Sequence, residues 1–576
     1  MVAIIDAMIF QMAKKDSLKN LVGKIYDPIL LAALAIFSFY LTFKSGERGF
    51  FPLDQSIVFD GSYRVILGQV PYKDFFAPVG PVAFWLQAIF FKVLGVDYFA
   101  YICGAACINL LATLCSVIIL RLLFTSQKFL SYIAGLLTAI WFYPPFGTPY
   151  LEQTSFFFSL LSITIILSIL LTGRRGSITE SLRLLVSGCF AALSFLSKQN
   201  SGLFIIPLYF LLLTAIYLPD TRKIFYSCGI FFAGIAGNML MFLLWLRFNS
   251  DWGIFKQYFI DLPIQIERYR LLGGYLNFHR IFFVVTRPML NTAVIFWSFF
   301  IALSTLFLCL NFLKKAMGAW RKPVISCLLC IYFILFQYAF IVSTYNQSEN
   351  GYPFIGIIFA IGIGLLFSLF GTLPLAIASP ERRFISVSRG LLKIMAVIMI
   401  SILLFKVSQY GINVSSSRFV HDIFSKSKFP NYLKIRGAES LKWGNPTIIR
   451  GAEISEDDIV GVYEYLQANN KRFFIFPDFT IFYALLKVPP PQPLLWFHKG
   501  LTYPASYDLA LDKWIIDNLK KNKVEIIVIE GIFWFKNSSI PFVDFPYVRS
   551  YIGENFRKVK QIGIFSIYEK IISMDQ

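Results

Sequence analysis

Long runs of apolar residues, separated by short polar segments, fill residues 1–409 of the chain. A helix needs about 20 apolar residues to cross the hydrocarbon core of a bilayer. This pattern predicts about eleven spans, which lie near residues 26–44, 97–123, 129–145, 151–172, 182–197, 202–218, 224–246, 286–312, 324–343, 353–373 and 387–408. The apolar run at 82–95 is short and rich in aromatic residues, which favours a helix at the membrane interface over a span.

Three larger polar segments interrupt or follow these runs, at residues 45–96, 247–285 and 410–576. In the last of them, "KRFFIFP", "VEIIVIEG" and "IGIFSIYE" have the pattern of strands, while "DDIVGVYEYLQAN" and "YDLALDKWIIDNLKKN" have helical spacing. Alternating helices and strands predict an α/β domain at 410–576 that follows a transmembrane module at 1–409.

The composition agrees with a polytopic α-helical membrane protein. Hydrophobic residues make up 57% of the chain and charged residues 15%, and the mean hydropathy is +0.65. A soluble chain has no means of burying so much apolar surface, whereas a membrane protein exposes it to lipid.

The formal net charge of +20 would suggest nucleic acid as a partner of a soluble protein. Here the Lys and Arg residues gather in alternate short loops, the pattern that marks the cytoplasmic side of a membrane protein. This distribution predicts a cytoplasmic N-terminus and no nucleic-acid partner. It also places the three large polar segments, including the α/β domain, on the extracytoplasmic face.

The first polar segment carries unusual chemistry in "FPLDQSIVFDGSYRVILGQVPYKDFFAPVGP", residues 51–81. Asp54 begins a stretch that predicts a short amphipathic helix along the membrane surface, with Asp60 and Arg64 paired at i,i+4. Asp74 lies among aromatic residues and prolines. Both Asp54 and Asp74 are candidate catalytic acids, although a capping role for Asp54 and a loop-fixing role for Asp74 explain the residues alone equally simply.

Two further candidates lie at the predicted outer ends of spans. Glu152 begins the fourth span, and Lys198 lies in the tight turn between the fifth and sixth spans. Helix capping by Glu152 and anchoring of Lys198 at the interface are the structural alternatives.

Candidate substrate-binding residues in other outer segments are Tyr72, Arg280, Arg287, Glu349 and Tyr352. An Arg side chain suits a lipid phosphate because its fork of donors matches the phosphate oxygens.

Carboxylates and cations drawn from several outer loops suit transfer of a group from a lipid phosphate. A carboxylate accepts the proton of an attacking hydroxyl, and cations stabilise the departing phosphate. The three His residues are scattered and no Cys/His cluster has ligand spacing, so the sequence supports neither a metal site nor a certain cofactor.

Several motifs resemble those of the GT-C glycosyltransferases, in particular the protein O-mannosyltransferase and lipid A aminoarabinose transferase branch. The first-loop sequence "PYKDFFAPVGP", "PYLEQTSFFFSLLS" at 149–162, "LSFLSKQNSGLFIIP" at 193–207, "ENGYP" and "FFIFPDFTIFYALLKVPPP" at 473–491 carry the resemblance. Gln55, Glu152 and the "ENGY" sequence depart from the usual residues of the family, which leaves the sugar and any divalent metal open.

The resemblance implies a polyprenyl-phosphate-linked sugar donor, inversion at the anomeric carbon and a first-loop acid as general base. It assigns Asp54 as base, Glu152 as second acid, Lys198 to the lipid phosphate and Asp74 to the pocket. The acceptor hydroxyl would belong to a lipid, glycan or protein of the cell envelope. The resemblance also implies a bacterial inner membrane as the location.

Two other functions fit a membrane protein with a large outer domain. A transporter or flippase of lipid-linked glycans would place ionisable groups in mid-membrane and often shows internal repeats, whereas this chain shows neither pattern. A non-catalytic assembly subunit would leave Asp54, Glu152 and Lys198 without a common purpose. The sequence therefore favours a glycosyltransferase.

Overall fold

A computed structural model describes residues 26–171, 177–270, 321–344, 352–372, 382–417, 428–445, 448–449, 452–504, 506–531 and 542–571. The predicted span at 286–312 and the candidate residues Arg280, Arg287 and Glu349 lie outside these ranges.

The described N-terminal part is a bundle of apolar helices. Seven helical segments are long and apolar enough to cross a membrane: Tyr26–Gly46, Tyr98–Leu123, Leu151–Ser168, Ile178–Ser197, Gln199–Tyr217, Thr221–Asn249 and Val397–Ser415, the last within the helix Arg382–Ser417. Other helices of this part are Pro52–Ile66, Val82–Leu94, Lys128–Trp141, Trp252–Phe255, Leu262–Arg270, Arg321–Thr344 and Ile355–Thr372. The predicted class, a polytopic α-helical membrane protein, is confirmed.

Local sequence signals explain where several of these helices begin. Asp97 accepts a hydrogen bond from the Ala100 N–H at 2.7 Å and so caps the helix Tyr98–Leu123. Inside the bundle, Asn109 donates to the carbonyls of Ser38 and Ala139. This buried amide therefore joins three helices in a region where water offers no alternative partner.

The C-terminal part is an α/β unit. Its strands are Lys428–Tyr432 (β1), Lys442–Asn445 (β2), Ile448–Ile449 (β3), Ala452–Glu453 (β4), Phe473–Phe476 (β5), Ile526–Glu530 (β6), Phe556–Ile562 (β7) and Phe565–Lys570 (β8). Its helices are Glu456–Asn469, Ile481–Leu485, Leu509–Lys521 and Pro546–Asn555. Strands β5, β6 and β8 lie where the sequence predicts three strands.

One four-stranded sheet, in the order β5-β6-β8-β7, organises this unit. Strands β5 and β6 are parallel, with Phe476 opposite Ile529, and the other pairings are antiparallel. Because β5 and β6 run in the same direction, the residues that end or follow these two strands meet at one edge of the sheet.

The C-terminal unit lies directly on the first loop. The Phe76 N–H donates to the Pro493 carbonyl at 2.9 Å, and the Lys442 N–H donates to the Glu47 carbonyl at 2.6 Å. Apolar side chains of both segments, Phe50 and Phe479 among them, belong to one buried cluster. The two parts of the chain therefore share a hydrophobic core.

The helix Pro52–Ile66, called here the first-loop helix, is covered on all sides. Every residue from Gln55 to Arg64 is buried. The prediction that this helix is amphipathic, with one face open to solvent, is therefore wrong. The physical reason is that Val82–Leu94 packs on one side of this helix, while Ile481–Leu485 of the C-terminal unit also packs against it.

The predicted ion pair within the first-loop helix is present. Arg64 Nε lies 3.0 Å from Asp60 Oδ2, and both side chains are 0% exposed. Arg64 Nη1 also donates to the carbonyl of Gln492 at 2.7 Å. Arg64 therefore links the first-loop helix to the Pro-rich loop "VPPPQP" of the C-terminal unit, residues 488–493.

A close approach of backbones fixes the "APVGP" part of the first loop. A Cβ atom added at Gly80 would lie 1.7 Å from the carbonyl oxygen of Leu196. The side chain of Gln199 supports the same contact, because its Nε2 donates to the Pro78 carbonyl at 3.4 Å and to the Phe259 carbonyl at 2.9 Å. The loop is therefore held against the turn that contains Lys198.

Replacement of Gly80 by Ala is expected to separate the first loop from the Lys198 turn, since backbone atoms at Leu196 have to move. We predict a lower melting temperature of the detergent-solubilised protein, measured by scanning fluorimetry. The matched control is Gly229→Ala, where a Cβ atom meets nothing within 4 Å. Equal melting temperatures for the two variants would contradict the close approach.

Replacement of Asp60 by Asn is expected to destabilise the protein by about 3–5 kcal/mol, because it leaves the buried Arg64 charge without its partner. The double variant Asp60→Leu/Arg64→Met should recover much of this loss, since neither charge is then buried. Asp261→Asn is the control, because its partner Lys256 is 58% exposed and such surface pairs contribute about 0–1 kcal/mol. A melting temperature of Asp60→Asn equal to that of the control would refute the prediction.

Candidate active site

Asp54 lies in the first turn of the first-loop helix. Pro52 suits the first positions of a helix, and the Gln55 side chain accepts the Phe51 N–H at 2.8 Å, which satisfies one free backbone donor. Asp54 itself is partly buried, and its carboxyl accepts a hydrogen bond from the side chain of Tyr150.

The environment of Asp54 raises its pKa to about 7. Burial is the largest cause, and the negative charges of Glu152 and Asp478 act in the same direction. The charge of Lys198 and the hydrogen bond from Tyr150 act against this increase. Asp54 therefore lies near Glu152 and Lys198, although the three residues come from separate segments of the sequence. A fourth residue, Asp478, lies near the same carboxyl group.

Glu152 and Lys198 form an ion pair at the helix ends beside Asp54. Lys198 Nζ lies 3.2 Å from Glu152 Oε1, and the Glu152 side chain is 4% exposed. Lys198 has an extended backbone and lies in the turn between the helices Ile178–Ser197 and Gln199–Phe204. This turn presents the Lys198 side chain to Glu152. Within the described residues, Glu152 Oε2 has no hydrogen-bond partner.

Asp478 belongs to the C-terminal unit and was not predicted from the sequence. It follows strand β5 and is 0% exposed. Its Oδ1 lies 2.9 Å from Nε2 of the buried His498, and its backbone N–H donates to Glu530 Oε1 at 2.7 Å. Because a carboxylate oxygen only accepts, Nε2 is the nitrogen that donates.

Glu530 ends strand β6 and supports the same loop. Its Oε1 also accepts the N–H of Phe479 at 2.7 Å. Burial, together with the charge of Asp478, raises the pKa of Glu530 well above its usual range. A usable signal was present in the sequence: acidic residues end or follow two predicted strands, and parallel strands bring such residues to one edge.

The other candidates occupy different positions. Asp74 is exposed, and its Oδ2 accepts the Val70 N–H at 2.7 Å, which fixes the loop. Tyr72 is 1% exposed and donates its hydroxyl to the Val79 carbonyl. Tyr352 is buried, with its ring 6.2 Å from that of Trp141. For Asp74 and Tyr72 the geometry favours a structural role within the first loop.

No set of three or more His, Cys, Asp or Glu side chains in the described ranges is arranged to hold a metal ion. The candidate site, defined here as Asp54, Glu152, Lys198 and Asp478, contains carboxyl groups that can accept a proton and an amine that can stabilise negative charge. An acid with a pKa near 7 is suited to remove a proton from a hydroxyl at neutral pH.

Part of this site lies in a segment that is similar to a known family. Residues 78–246, which include Glu152 and Lys198, match the family model described as dolichyl-phosphate-mannose-protein mannosyltransferase. No curated protein matches the chain.

Solved structures of similar overall architecture include three membrane glycosyltransferases. ArnT from Cupriavidus metallidurans, bound to undecaprenyl phosphate, has 11% identity and a TM-score of 0.49, with 95% of this chain and 98% of ArnT covered. The Archaeoglobus fulgidus oligosaccharyltransferase, tethered to an acceptor peptide, has 11% identity and a TM-score of 0.46, with 96% and 75% covered. The arabinofuranosyltransferase AftD from Mycobacteria has 13% identity and a TM-score of 0.48, with 94% and 40% covered.

The family match carries the conclusion, because the structural similarities are distant. Over residues 78–246, the resemblance to protein mannosyltransferases that the sequence predicts is confirmed.

Proposed function

We propose that the protein transfers a sugar from a polyprenyl-phosphate-linked donor to a hydroxyl group of an acceptor, with inversion at the anomeric carbon. This proposal depends on one observation: Asp54 lies beside the Glu152–Lys198 ion pair. The donor class is supported by the family description, which names a dolichyl-phosphate-linked mannose as substrate of the matched family.

In this reaction Asp54 accepts the proton of the acceptor hydroxyl while that oxygen attacks the anomeric carbon. The bond between the anomeric carbon and the phosphate oxygen breaks, and polyprenyl phosphate leaves with the bonding electrons. Lys198 stabilises the negative charge that develops on the phosphate. Glu152 holds Lys198 in place and raises the proton affinity of Asp54.

The site lies where helices of the bundle end and the C-terminal unit begins. From the distribution of Lys and Arg we place this end on the extracytoplasmic face, with the N-terminus in the cytoplasm. The bacterial inner membrane is proposed from the family resemblance alone. The acceptor is a lipid, glycan or protein of the cell envelope. Because the charged groups of the site gather at helix ends, the arrangement favours transfer over transport across the membrane.

Replacement of Asp54 by Asn is expected to lower kcat/KM by about 100-fold or more, since a general base typically contributes 10²–10⁴-fold. Purified protein would be given undecaprenyl phosphate carrying radiolabelled mannose, glucose or arabinose, with membranes of the source organism as acceptor. Transfer is counted as label recovered in the acceptor, separated from the lipid donor and from free sugar.

The matched control is Asp517→Asn, an exposed residue on the helix Leu509–Lys521. It should transfer sugar as the wild type does. Full activity of Asp54→Asn under the same conditions would remove Asp54 as the base.

The pH dependence follows from the pKa of Asp54 at about 7. A base acts only when deprotonated, so kcat/KM should fall as the pH drops below about 7, by about tenfold per pH unit for a single proton. Glu152→Gln removes a charge that raises this pKa, and it frees Lys198 to act on Asp54. The midpoint of its acidic limb should therefore lie at lower pH, and a midpoint equal to that of the wild type would contradict the assignment.

A further inference from the structure

One carboxylate oxygen of Asp478 is buried without a partner. The side chain is 0% exposed, and its Oδ1 is engaged by His498, but Oδ2 has no hydrogen-bond partner within the described residues. Buried polar atoms in native proteins almost always form hydrogen bonds. A buried acceptor that the described residues leave unpaired therefore indicates a place where a ligand supplies the donor.

The position of Asp478 is fixed from two sides of the C-terminal unit. His498 Nε2 orients the carboxylate, and Glu530 Oε1 holds the backbone N–H of Asp478. Both supporting residues are themselves buried, with 3% and 1% of their surfaces exposed. His498 and Glu530 thus act as positioning residues that keep Oδ2 in one place.

A direct hydrogen bond joins Asp478 to the helix that carries Asp54. Ser56 Oγ donates to the backbone carbonyl of Asp478 at 2.7 Å, and Ser56 lies two residues after Asp54. The Asp478 charge also acts on the Asp54 carboxyl. The C-terminal unit therefore places its unpaired acceptor beside the proposed base.

Two of the unpaired buried atoms in the candidate site are carboxylate oxygens. Glu152 Oε2 is buried without a partner in the described part of the chain, as is Asp478 Oδ2. Carboxylate oxygens accept hydrogen bonds, and hydroxyl groups donate them. A sugar or another polyhydroxylated molecule supplies the donors that these two oxygens require.

We propose that Asp478 is a substrate-binding residue contributed by the C-terminal unit, and that its Oδ2 accepts a hydrogen bond from a substrate hydroxyl next to Asp54. The hydroxyl belongs either to the transferred sugar or to the acceptor. This assignment rests on the proposed function and gives the C-terminal unit a direct part in recognition of the substrate.

The test is Asp478→Asn in the full-length protein, with Asp517→Asn as the matched control. Asn keeps the shape and an oxygen that accepts from His498, and the Ser56 bond reaches the backbone, so the fold is retained. Using the undecaprenyl-phosphate sugars named above, we expect at least a tenfold loss of kcat/KM. The acidic limb should also move to lower pH, because a charge that raises the pKa of Asp54 is removed. Because this shift follows from the charge alone, it reports that Asp478 lies near Asp54, whereas the loss of kcat/KM reports substrate binding.

Two reactions distinguish the source of the hydroxyl. Hydrolysis of the undecaprenyl-phosphate sugar without acceptor involves the donor alone, whereas transfer involves both substrates. Loss of both reactions, with a raised KM for the donor, assigns Asp478 to the transferred sugar. Loss of transfer with hydrolysis unchanged assigns it to the acceptor.

If Asp478→Asn lowers the melting temperature, a second pair of variants still tests the proposal. His498→Ala removes the donor that orients Asp478, whereas the Gln side chain of His498→Gln offers an amide N–H in its place. We expect a loss of kcat/KM in the first variant and recovery in the second. Wild-type activity of His498→Ala would overturn the positioning role.

The results separate the two proposals. Wild-type kcat/KM and an unchanged pH midpoint in Asp478→Asn, with Asp54→Asn inactive, would overturn the role of Asp478 and leave the proposed function standing. Absence of both transfer and hydrolysis by the wild type with every donor would overturn the proposed function, and the role of Asp478 with it.

Discussion

The contact between the first loop and the C-terminal unit is the constraint on which the site depends. Three hydrogen bonds hold it near the proposed base: Ser56 to the Asp478 carbonyl, Arg64 to the Gln492 carbonyl and the Phe76 N–H to the Pro493 carbonyl. Each joins residues separated by more than 400 positions in the chain. Without this contact the first-loop helix would expose its buried surface, and Asp478 would not lie beside Asp54.

The same contact sets the electrostatics of Asp54. Burial and two nearby carboxylates disfavour its charged form, while Lys198 and the Tyr150 hydroxyl favour it. The balance gives a pKa of about 7, at which the group is both deprotonated in part and basic enough to take a proton. Lys198 pairs with Glu152, and its proposed second purpose is to interact with the lipid phosphate.

Much of the architecture could be predicted from local patterns. Hydropathy located the described spans, i,i+4 spacing identified the Asp60–Arg64 pair, and strand patterns located β5, β6 and β8. Asp54, Glu152 and Lys198 were selected as outer polar residues at the ends of apolar runs, and the structure brings them together. Their chemical roles remain predictions.

The features that could not be predicted from the sequence depend on contacts between segments that are distant in the chain. The sequence predicts an amphipathic first-loop helix because nothing in the helix's own residues indicates that Val82–Leu94 and Ile481–Leu485 cover it. Asp478 follows a predicted strand, but that local signal does not show which strand lies beside it, and the parallel pairing of β5 with β6 brings it to the same sheet edge as Glu530. The positions of Tyr72 and Asp74 likewise follow from hydrogen bonds inside the loop, which composition does not reveal.

The central claim is that the lipid phosphate and the base meet at the junction of the first loop, the Lys198 turn and the C-terminal unit. The most direct measurement is an electron cryo-microscopy structure of the full-length protein with undecaprenyl phosphate bound. We expect a phosphate oxygen within about 4 Å of Lys198 Nζ, the usual limit for an ion pair, on the side that faces Asp54. A phosphate bound at the opposite end of the helical bundle would contradict the claim.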